Sequence, residues 1–175
     1  MNERAASTVN IRIAGIVRES IVDGPGIRLT VFSQGCIHAC VGCHNEETHD
    51  FEGGYNCSVE KIVGEVDKNP LLQGVTFSGG EPICQPEGFY ELAKMLKKRN
   101  LDIAIFTGFT YEELETLRKD QPIIGQLLDL TDYLIDGRFI LAQKDLTLQF
   151  RGSQNQRYID MNATREQGKI VKVEK

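Results

Sequence analysis

Three cysteines stand close together in one short loop of this 175-residue chain. Cys36, Cys40 and Cys43 follow the spacing Cys-x3-Cys-x2-Cys, in a loop that spans residues 35–45. An iron-sulfur cubane normally takes one thiolate on each of its irons. A loop that offers only three thiolates therefore predicts a cluster with one iron open to another ligand, and that iron is where chemistry can occur.

Other sites could use the same thiols. A zinc site of Cys3His type would combine them with one histidine, and His38, His44 and His49 all lie in or next to the loop. Zinc bound in this way would make the loop structural. The sequence leaves this alternative open.

Two redox alternatives use other sets of cysteines. Cys40 and Cys43 alone have the spacing of a thioredoxin-like pair, but such a pair has no use for Cys36. A plain electron-carrying cluster would need a fourth thiolate, and Cys57 and Cys84 are the remaining cysteines. Neither lies in a cysteine-rich spacing, so we expect both to be ordinary buried or half-buried thiols.

Composition and length limit the class of protein. With 41% hydrophobic and 26% charged residues, the chain has the composition of a soluble globular protein. We expect a single domain over residues 1–175, which is short for a full eight-unit barrel of ~250 residues. A net charge of -5 without a basic run argues against a nucleic-acid partner.

The same data predict a cytoplasmic protein. No stretch approaches the ~18 apolar residues of a membrane span, and residues 1–8 lack the apolar core of a signal peptide. Five cysteines, an odd number, fit metal ligation in a reducing compartment better than disulfides. We therefore expect no membrane partner.

Strands and helices alternate along the chain. Apolar alternation or short buried runs predict strands at 9–13, 27–31, 74–77, 103–106 and 133–135. Helices are predicted after Ser58, from Pro86 to near Asn100, and after a capping box formed by Thr110 and Glu113. Such alternation favours right-handed βαβ units and a parallel sheet, whose ligand site lies at the carboxyl ends of the strands.

Two further turns follow predicted strands on that edge. Gly79 and Gly80 have no side chains, so a ligand can approach their backbone closely, and Glu81 can accept a hydrogen bond from an ammonium group. The alternative is a tight turn without a ligand. Asp136 and Arg138 follow another strand and either anchor the same ligand or form a solvated turn.

These motifs resemble those of a known superfamily. The cysteine spacing, followed by Ser-Gly-Gly-Glu-Pro at 78–82, resembles the radical S-adenosylmethionine superfamily. An Asp-Gly-Pro-Gly segment at 23–26 narrows the resemblance to the glycyl-radical-enzyme activating enzymes. Residues 134–139 and a C-terminal segment at 150–159 are similar to the activating proteins of anaerobic ribonucleoside-triphosphate reductase. The likeness runs from about Ile16 to Ile159.

The resemblance implies a fold and a reaction. The fold is an α/β domain of radical SAM type, a shortened open (β/α) barrel with a mainly parallel sheet. Cys36, Cys40 and Cys43 would hold a 4Fe-4S cluster that, once reduced, cleaves S-adenosylmethionine and leads to a glycyl radical on the reductase. A flavodoxin or ferredoxin is the implied electron donor. No catalytic side chain is expected, because the cofactor carries the chemistry.

The resemblance also implies where the cofactor binds. The implied contacts are made by Gly42, Cys43, His44, Gly79, Gly80, Glu81, Asp136 and Arg138. Arg138 stands where the pyruvate formate-lyase activases have lysine, and Gly42 stands where many members have an aromatic residue. The ring that contacts the adenine is therefore open, and His44 is one candidate.

Three other functions compete with this one. The chain could activate another glycyl radical enzyme such as pyruvate formate-lyase, or could be a radical enzyme acting on a small molecule. A small-molecule site generally needs more of the barrel, whereas a shortened barrel suits entry of a glycine loop from another protein. The third alternative is a non-catalytic iron-sulfur or zinc protein.

The tail carries a last predicted element. Leu146, Leu148 and Phe150 alternate with polar residues and predict a strand. The following polar cluster is either a solvated loop or a latch that positions the glycine loop or closes the open side of the barrel. Its members are Arg151, Gln154, Asn155, Gln156 and Arg157.

Overall fold

The fold is built on one seven-stranded sheet, seen in a computed structural model that describes residues 9–173. Residues 1–8, on which the expectation about a signal peptide rests, lie outside the described residues. The strands are β1 (Asn10–Ser20), β2 (Arg28–Ser33), β3 (Tyr55–Ser58), β4 (Gly74–Gly79), β5 (Asp102–Phe106), β6 (Tyr133–Asp136) and β7 (Arg157–Asp160).

The strand order is β3-β1-β2-β4-β5-β6-β7. The central strands β2, β4, β5 and β6 are parallel to one another, while β1, β3 and β7 add antiparallel edges. This mixed sheet with a parallel centre confirms the predicted α/β fold. The sheet is open, since within the described residues β3 and β7 form its two edges.

Five helices accompany the sheet within residues 9–173. Ser58 caps the first by accepting a hydrogen bond from the backbone of Lys61, and the predicted capping box of Thr110 and Glu113 opens the third. No helix in this part of the chain is long and apolar enough to cross a membrane. The helices are α1 (Val59–Asp67), α2 (Pro86–Lys97), α3 (Tyr111–Asp120), α4 (Pro122–Asp129) and α5 (Met161–Gln167).

One face of the sheet packs in the apolar core, and the other lines a cavity. Because side chains alternate along a strand, neighbouring residues of the central strands point to opposite faces. One set packs with helix residues such as Leu92 and Leu114 in a continuous apolar core, and its members include Val31, Phe77, Ile105 and Leu134. The other set lines an open cavity, and its members are Phe32, Ser78, Phe106 and Ile135.

The Asp-Gly-Pro-Gly segment closes the sheet at the end opposite the cysteine loop. Arg28, fully buried at the start of β2, donates to the Pro25 carbonyl oxygen at 2.7 Å and to Thr76 Oγ1 at 2.7 Å. Thr76 in turn donates to the Asp23 carbonyl oxygen at 2.6 Å. Asp23 lines the cavity from this end, so the motif forms the floor beneath the site.

The predicted strand at 146–150 is wrong. This stretch forms turns and bends, and Leu146 is 81% exposed. Asp145 Oδ1 accepts hydrogen bonds from the Thr147 amide at 2.9 Å and from its hydroxyl at 2.5 Å, which turns the chain. Phe150 has φ +61°, outside the extended region. Local turn chemistry overrides the apolar alternation.

Candidate functional site

The three cysteines of the loop line one cavity at the carboxyl edge of the parallel strands. All three are half-buried. The cavity volume of about 640 Å³ lies within the roughly 300–1,000 Å³ typical of cofactor sites. Gly79 and Gly80 line the same cavity, so two of the three predicted turns meet there.

Backbone hydrogen bonds fold the cysteine loop back on itself. The Gly35 amide donates to the Thr48 carbonyl oxygen at 2.7 Å, and the Cys36 amide donates to that of His49 at 3.2 Å. Gly42 has φ +77°, a conformation that side chains disfavour. A glycine here permits the bend that leads into Cys43, which lines the cavity.

The donor set has the chemistry of a cluster site. Among the described residues, no three Cys, His, Asp or Glu side chains converge on one position that a metal ion could occupy. A cubane needs one thiolate on each of three separate irons, and thiols spread around a cavity meet that need. Half-exposed cysteines without disulfide partners supply the right chemistry.

Burial changes the acidity of these thiols. It raises the pKa of Cys36 and Cys43 above the ordinary thiol value, and the negative charge of Glu81 adds to the rise at Cys36. Both groups are therefore protonated at neutral pH in the metal-free chain. Binding of metal to thiolates must release these protons.

The remaining two cysteines lie apart from the cavity wall. Cys57 packs in the apolar core at 5% exposure. Cys84 sits close to the cysteine loop, where burial, with smaller contributions from Glu81 and Cys36, raises its pKa to about 11. Neither lines the cavity within the described residues.

The glycine turn is tied to the cysteine loop by its backbone. The Gly80 amide donates to the Ser33 carbonyl oxygen at 2.8 Å, and the Glu81 amide donates to that of Gly35 at 2.8 Å. A Cβ atom at Gly80 would lie 2.4 Å from the Gly35 carbonyl oxygen. Here glycine allows close contact between two loops as well as an open backbone for a ligand.

The side chain of Glu81 does not line the cavity, although three of its hydrogen-bond partners do. It is fully buried, and its Oε1 accepts hydrogen bonds from Thr107 Oγ1 at 2.8 Å and the Gly108 amide at 2.8 Å. His38 Nε2 lies 2.7 Å from the same oxygen, and Oε2 accepts from the Ile83 amide at 3.0 Å. The carboxylate that the sequence predicts to receive a ligand ammonium group is thus hydrogen-bonded to groups of the protein itself.

Two aromatic rings stand beside the third cysteine. The centroids of His44 and Phe139 are 5.4 Å apart, and both rings line the cavity. Phe139 also lies against Gly42, where a Cβ atom would come 3.3 Å from its ring. Either ring can stack on a planar base.

Asp136 and Arg138 do not reach the cysteine cavity. Asp136 is buried and accepts hydrogen bonds from Arg157 Nε at 3.1 Å and from the Tyr111 amide at 2.7 Å. Arg138 pairs with Glu113 at 3.0 Å. Both residues line a separate, smaller cavity of about 370 Å³. The structure therefore does not bring this pair together with the other predicted site residues.

The tail forms a hydrogen-bonded flap, residues 137–156, over one side of the cavity. The Gln154 amide donates to the Gln143 carbonyl oxygen at 2.9 Å, and Asn155 Nδ2 donates to that of Arg138 at 2.7 Å. Phe150, Arg151 and other flap residues line the cavity. This arrangement favours the latch over the solvated loop.

Sequence reasoning missed several residues of this site. The sequence predicts a role for His38 only as a possible zinc ligand, and it predicts no role for Thr107 or Gly108. The signal was available, because Thr107 and Gly108 directly follow β5 at the edge where the other motifs lie. Phe139 gave no signal, since its position depends on the fold of the flap.

Comparison with known proteins agrees with this geometry. A family described as "4Fe-4S single cluster domain" matches residues 22–159. The anaerobic ribonucleoside-triphosphate reductase-activating protein of Escherichia coli (strain K12) is 32% identical over 145 residues, 78% of this chain and 90% of that protein. The chain belongs to this family of activating proteins. It therefore carries a 4Fe-4S cluster domain, as predicted.

Two further proteins are similar to parts of this chain. A pyruvate formate-lyase-activating enzyme of Clostridium pasteurianum is 37% identical over 132 residues, 72% of this chain and 55% of that protein. Among solved structures, QueE from Escherichia coli matches with a TM-score of 0.46 and 18% identity, over 58% of this chain and 53% of that one.

Replacing Cys36, Cys40 or Cys43 by alanine should each remove the cluster, because two thiolates cannot hold three irons. Cys57→Ala and Cys84→Ala are the matched controls, and we expect both to keep it. Iron and sulfide content after anaerobic reconstitution, together with cluster absorbance, measures the outcome. Loss of absorbance in either control would show that a fourth thiolate matters.

Gly80→Ala should impair both the fold and the cluster, since its new Cβ atom meets backbone rather than a flexible side chain. We expect a loss of about 1–3 kcal/mol in unfolding free energy, as in overpacked cores, and a reduced iron content. Gly64→Ala is the control, because nothing lies within 4 Å of its Cβ position. That change, inside α1, should stabilise by about 0.5–1 kcal/mol. Wild-type stability and iron content in Gly80→Ala would contradict the close-contact argument.

Proposed function

We propose that this chain is a radical SAM activating enzyme that generates a glycyl radical on anaerobic ribonucleoside-triphosphate reductase. The observation that carries the proposal is a single cavity lined by Cys36, Cys40, Cys43, Gly79 and Gly80 in a chain of this family. The three cysteines would hold the cluster. The two glycines would receive the methionyl end of S-adenosylmethionine, next to Gly42, Cys43 and His44.

The protein supplies position rather than acid-base chemistry. A reduced cluster held by the three cysteines would supply the one-electron chemistry that cleaves S-adenosylmethionine and removes a hydrogen atom from the glycine of the partner. The cysteine loop holds the metal at the strand edge, and the glycine turn leaves the backbone accessible. Phe139 and His44 can shield the adenosyl group and hold its base.

The shape of the cavity favours a protein substrate over a small molecule. The sheet is open, and Val22 and Leu146 stand at the cavity with 71% and 81% exposure. A site for a small molecule buries most of its ligand, whereas a glycine loop from another protein needs an open side through which to enter. The flap stands beside that open side.

A second candidate is activation of pyruvate formate-lyase. The 37% identity to the Clostridium pasteurianum enzyme favours it. That match covers only 55% of the pyruvate formate-lyase activase, whereas this chain covers 90% of the reductase activase from Escherichia coli. The reductase is therefore the first choice of partner.

The proposal extends to the setting of the reaction. All five cysteines are free thiols, which suits a reducing cytoplasm. A flavodoxin or ferredoxin would supply the electron. We also propose that residues 1–175 form a single domain.

The decisive experiment is anaerobic reconstitution with iron and sulfide, followed by a dithionite-dependent assay for 5'-deoxyadenosine. The reconstituted chain should then be mixed with either the reductase or pyruvate formate-lyase, and the glycyl radical measured by electron paramagnetic resonance. We expect cofactor cleavage and a radical on the reductase. An intact cluster that never cleaves the cofactor would overturn the proposal, and a radical on pyruvate formate-lyase alone would move it to the second candidate.

The flap should serve recognition of the partner. Replacing Arg151 and Asn155 together by alanine should leave the cluster and uncoupled cofactor cleavage intact, because neither residue lies in the cysteine loop or the glycine turn. Glycyl-radical formation in the reductase should fall, since Asn155 joins the two ends of the flap through the Arg138 carbonyl oxygen and Arg151 lines the cavity. Radical yield at equal cluster content is the measurement, and an undiminished yield would show that the flap is not the recognition element.

A further inference from the structure

The Glu81 side chain lies in a polar node formed with His38, Thr107 and Gly108, and these three partners line the cavity while Glu81 does not. The Glu81 side chain is fully buried, and that of His38 is 4% exposed. His38 Nε2 and Glu81 Oε1 are 2.7 Å apart, so the two side chains share a hydrogen bond. The Ile83 and Gly108 amides donate to the same carboxylate.

The node joins elements that are distant in sequence. His38 lies between the first two cysteines of the loop, Glu81 follows β4, and Thr107 and Gly108 follow β5. Thr107 Oγ1 lies 2.8 Å and 2.9 Å from the two carboxylate oxygens, and the Gly108 amide lies 2.8 Å from Oε1. One carboxylate therefore fixes three segments of the rim relative to one another.

The ring of His38 is held in place by packing against neighbouring residues as well as by its hydrogen bond. It makes an edge contact with Phe109, with the ring centroids 4.7 Å apart at 79°. It also lies close against Gly108, where an added Cβ atom would collide with the ring. The histidine therefore packs on two consecutive residues of the segment that follows β5.

We propose that Glu81 and His38 are positioning residues that together brace the cysteine loop against the ends of β4 and β5, and that the Glu81 side chain does not contact the cofactor. The proposal rests on the assignment of Cys36, Cys40 and Cys43 as cluster ligands. A carboxylate without free lone pairs cannot also take an ammonium group. The cysteine loop extends from the end of β2, and the contacts of Glu81 and His38 would hold its three thiols in position in the metal-free chain.

The first test uses the metal-free chain and needs no activity. His38→Phe keeps a ring of similar shape but removes the donor, and Glu81→Gln removes the charge. In both variants the rate of modification of Cys36 and Cys40 by a thiol reagent, and amide exchange over 36–43, should rise about 10- to 100-fold, the factor expected for one lost hydrogen bond to a charged group. His38→Gln, which restores a donor, should recover part of the protection.

Glu113→Gln is the matched control. Its carboxylate also accepts a backbone hydrogen bond, from Thr110 at 2.9 Å, and pairs with an arginine, but it lies on α3 away from the cysteine loop. Thiol modification should not change in this variant. The double variant of His38→Phe and Glu81→Gln should expose the thiols no more than either single change, because the two residues act as one unit.

The second test separates the brace from a cofactor ligand. The dissociation constant for S-adenosylmethionine, measured per cluster-loaded molecule, should stay within twofold of wild type in Glu81→Gln. A dissociation constant more than twofold larger than that of wild type, with unchanged thiol exposure, would overturn the proposal and make Glu81 a cofactor ligand. If Glu81→Gln does not fold, the rate of thiol modification in His38→Phe decides the question by itself. A rate equal to that of wild type in that variant would refute the proposal. Failure of the radical assay would leave the metal-free result standing, so the two proposals can fail separately.

Discussion

Two peptide hydrogen bonds hold the working edge of this protein together. They run from the amides of Gly80 and Glu81 to the carbonyl oxygens of Ser33 and Gly35, each at 2.8 Å. They continue the parallel pairing of β4 with β2 past the end of the sheet. The cysteine loop and the glycine turn therefore form a single unit, and the absence of a side chain at Gly80 is what lets the two backbones meet. Any group that binds the thiols lies next to the exposed backbone of the turn.

The sheet separates stability from chemistry. Its helix-covered face carries the large apolar side chains, with residues such as Phe77 and Leu92 fully buried. The opposite face has no helix packed on its cavity-lining residues in the described part of the chain, and presents a mixture of aromatic, aliphatic and hydroxyl side chains. An open face would weaken an ordinary domain. Here two elements reduce the exposure of the open face. The Asp-Gly-Pro-Gly turn and Arg28 form a floor at one end of the cavity, and the flap covers the other end.

The sequence predicts backbone-based features better than side-chain directions. Apolar alternation located the central strands, and the capping residues Ser58 and Thr110 marked helix starts, because these signals are local. The direction of the Glu81 side chain is not local, since it depends on donors at Thr107 and Gly108 that only the parallel pairing of β4 and β5 brings close. Strand β7 was missed for a similar reason. Its short run at 157–160 becomes a strand only beside β6.

The charges beyond the flap show why two predicted ligands lie elsewhere. Asp136 and Arg157 are directly paired across the antiparallel strands β6 and β7, and Arg157 also reaches Glu112 of α3 at 2.7 Å. Arg138 extends the same network to Glu113, and its planar guanidinium suits a carboxylate better than a lysine ammonium would. An arginine at 138 therefore fits a residue that binds helix α3. Through these pairs, α3 and β7 fix the two ends of the flap, so the position of the cavity wall depends on surface electrostatics as well as on the core.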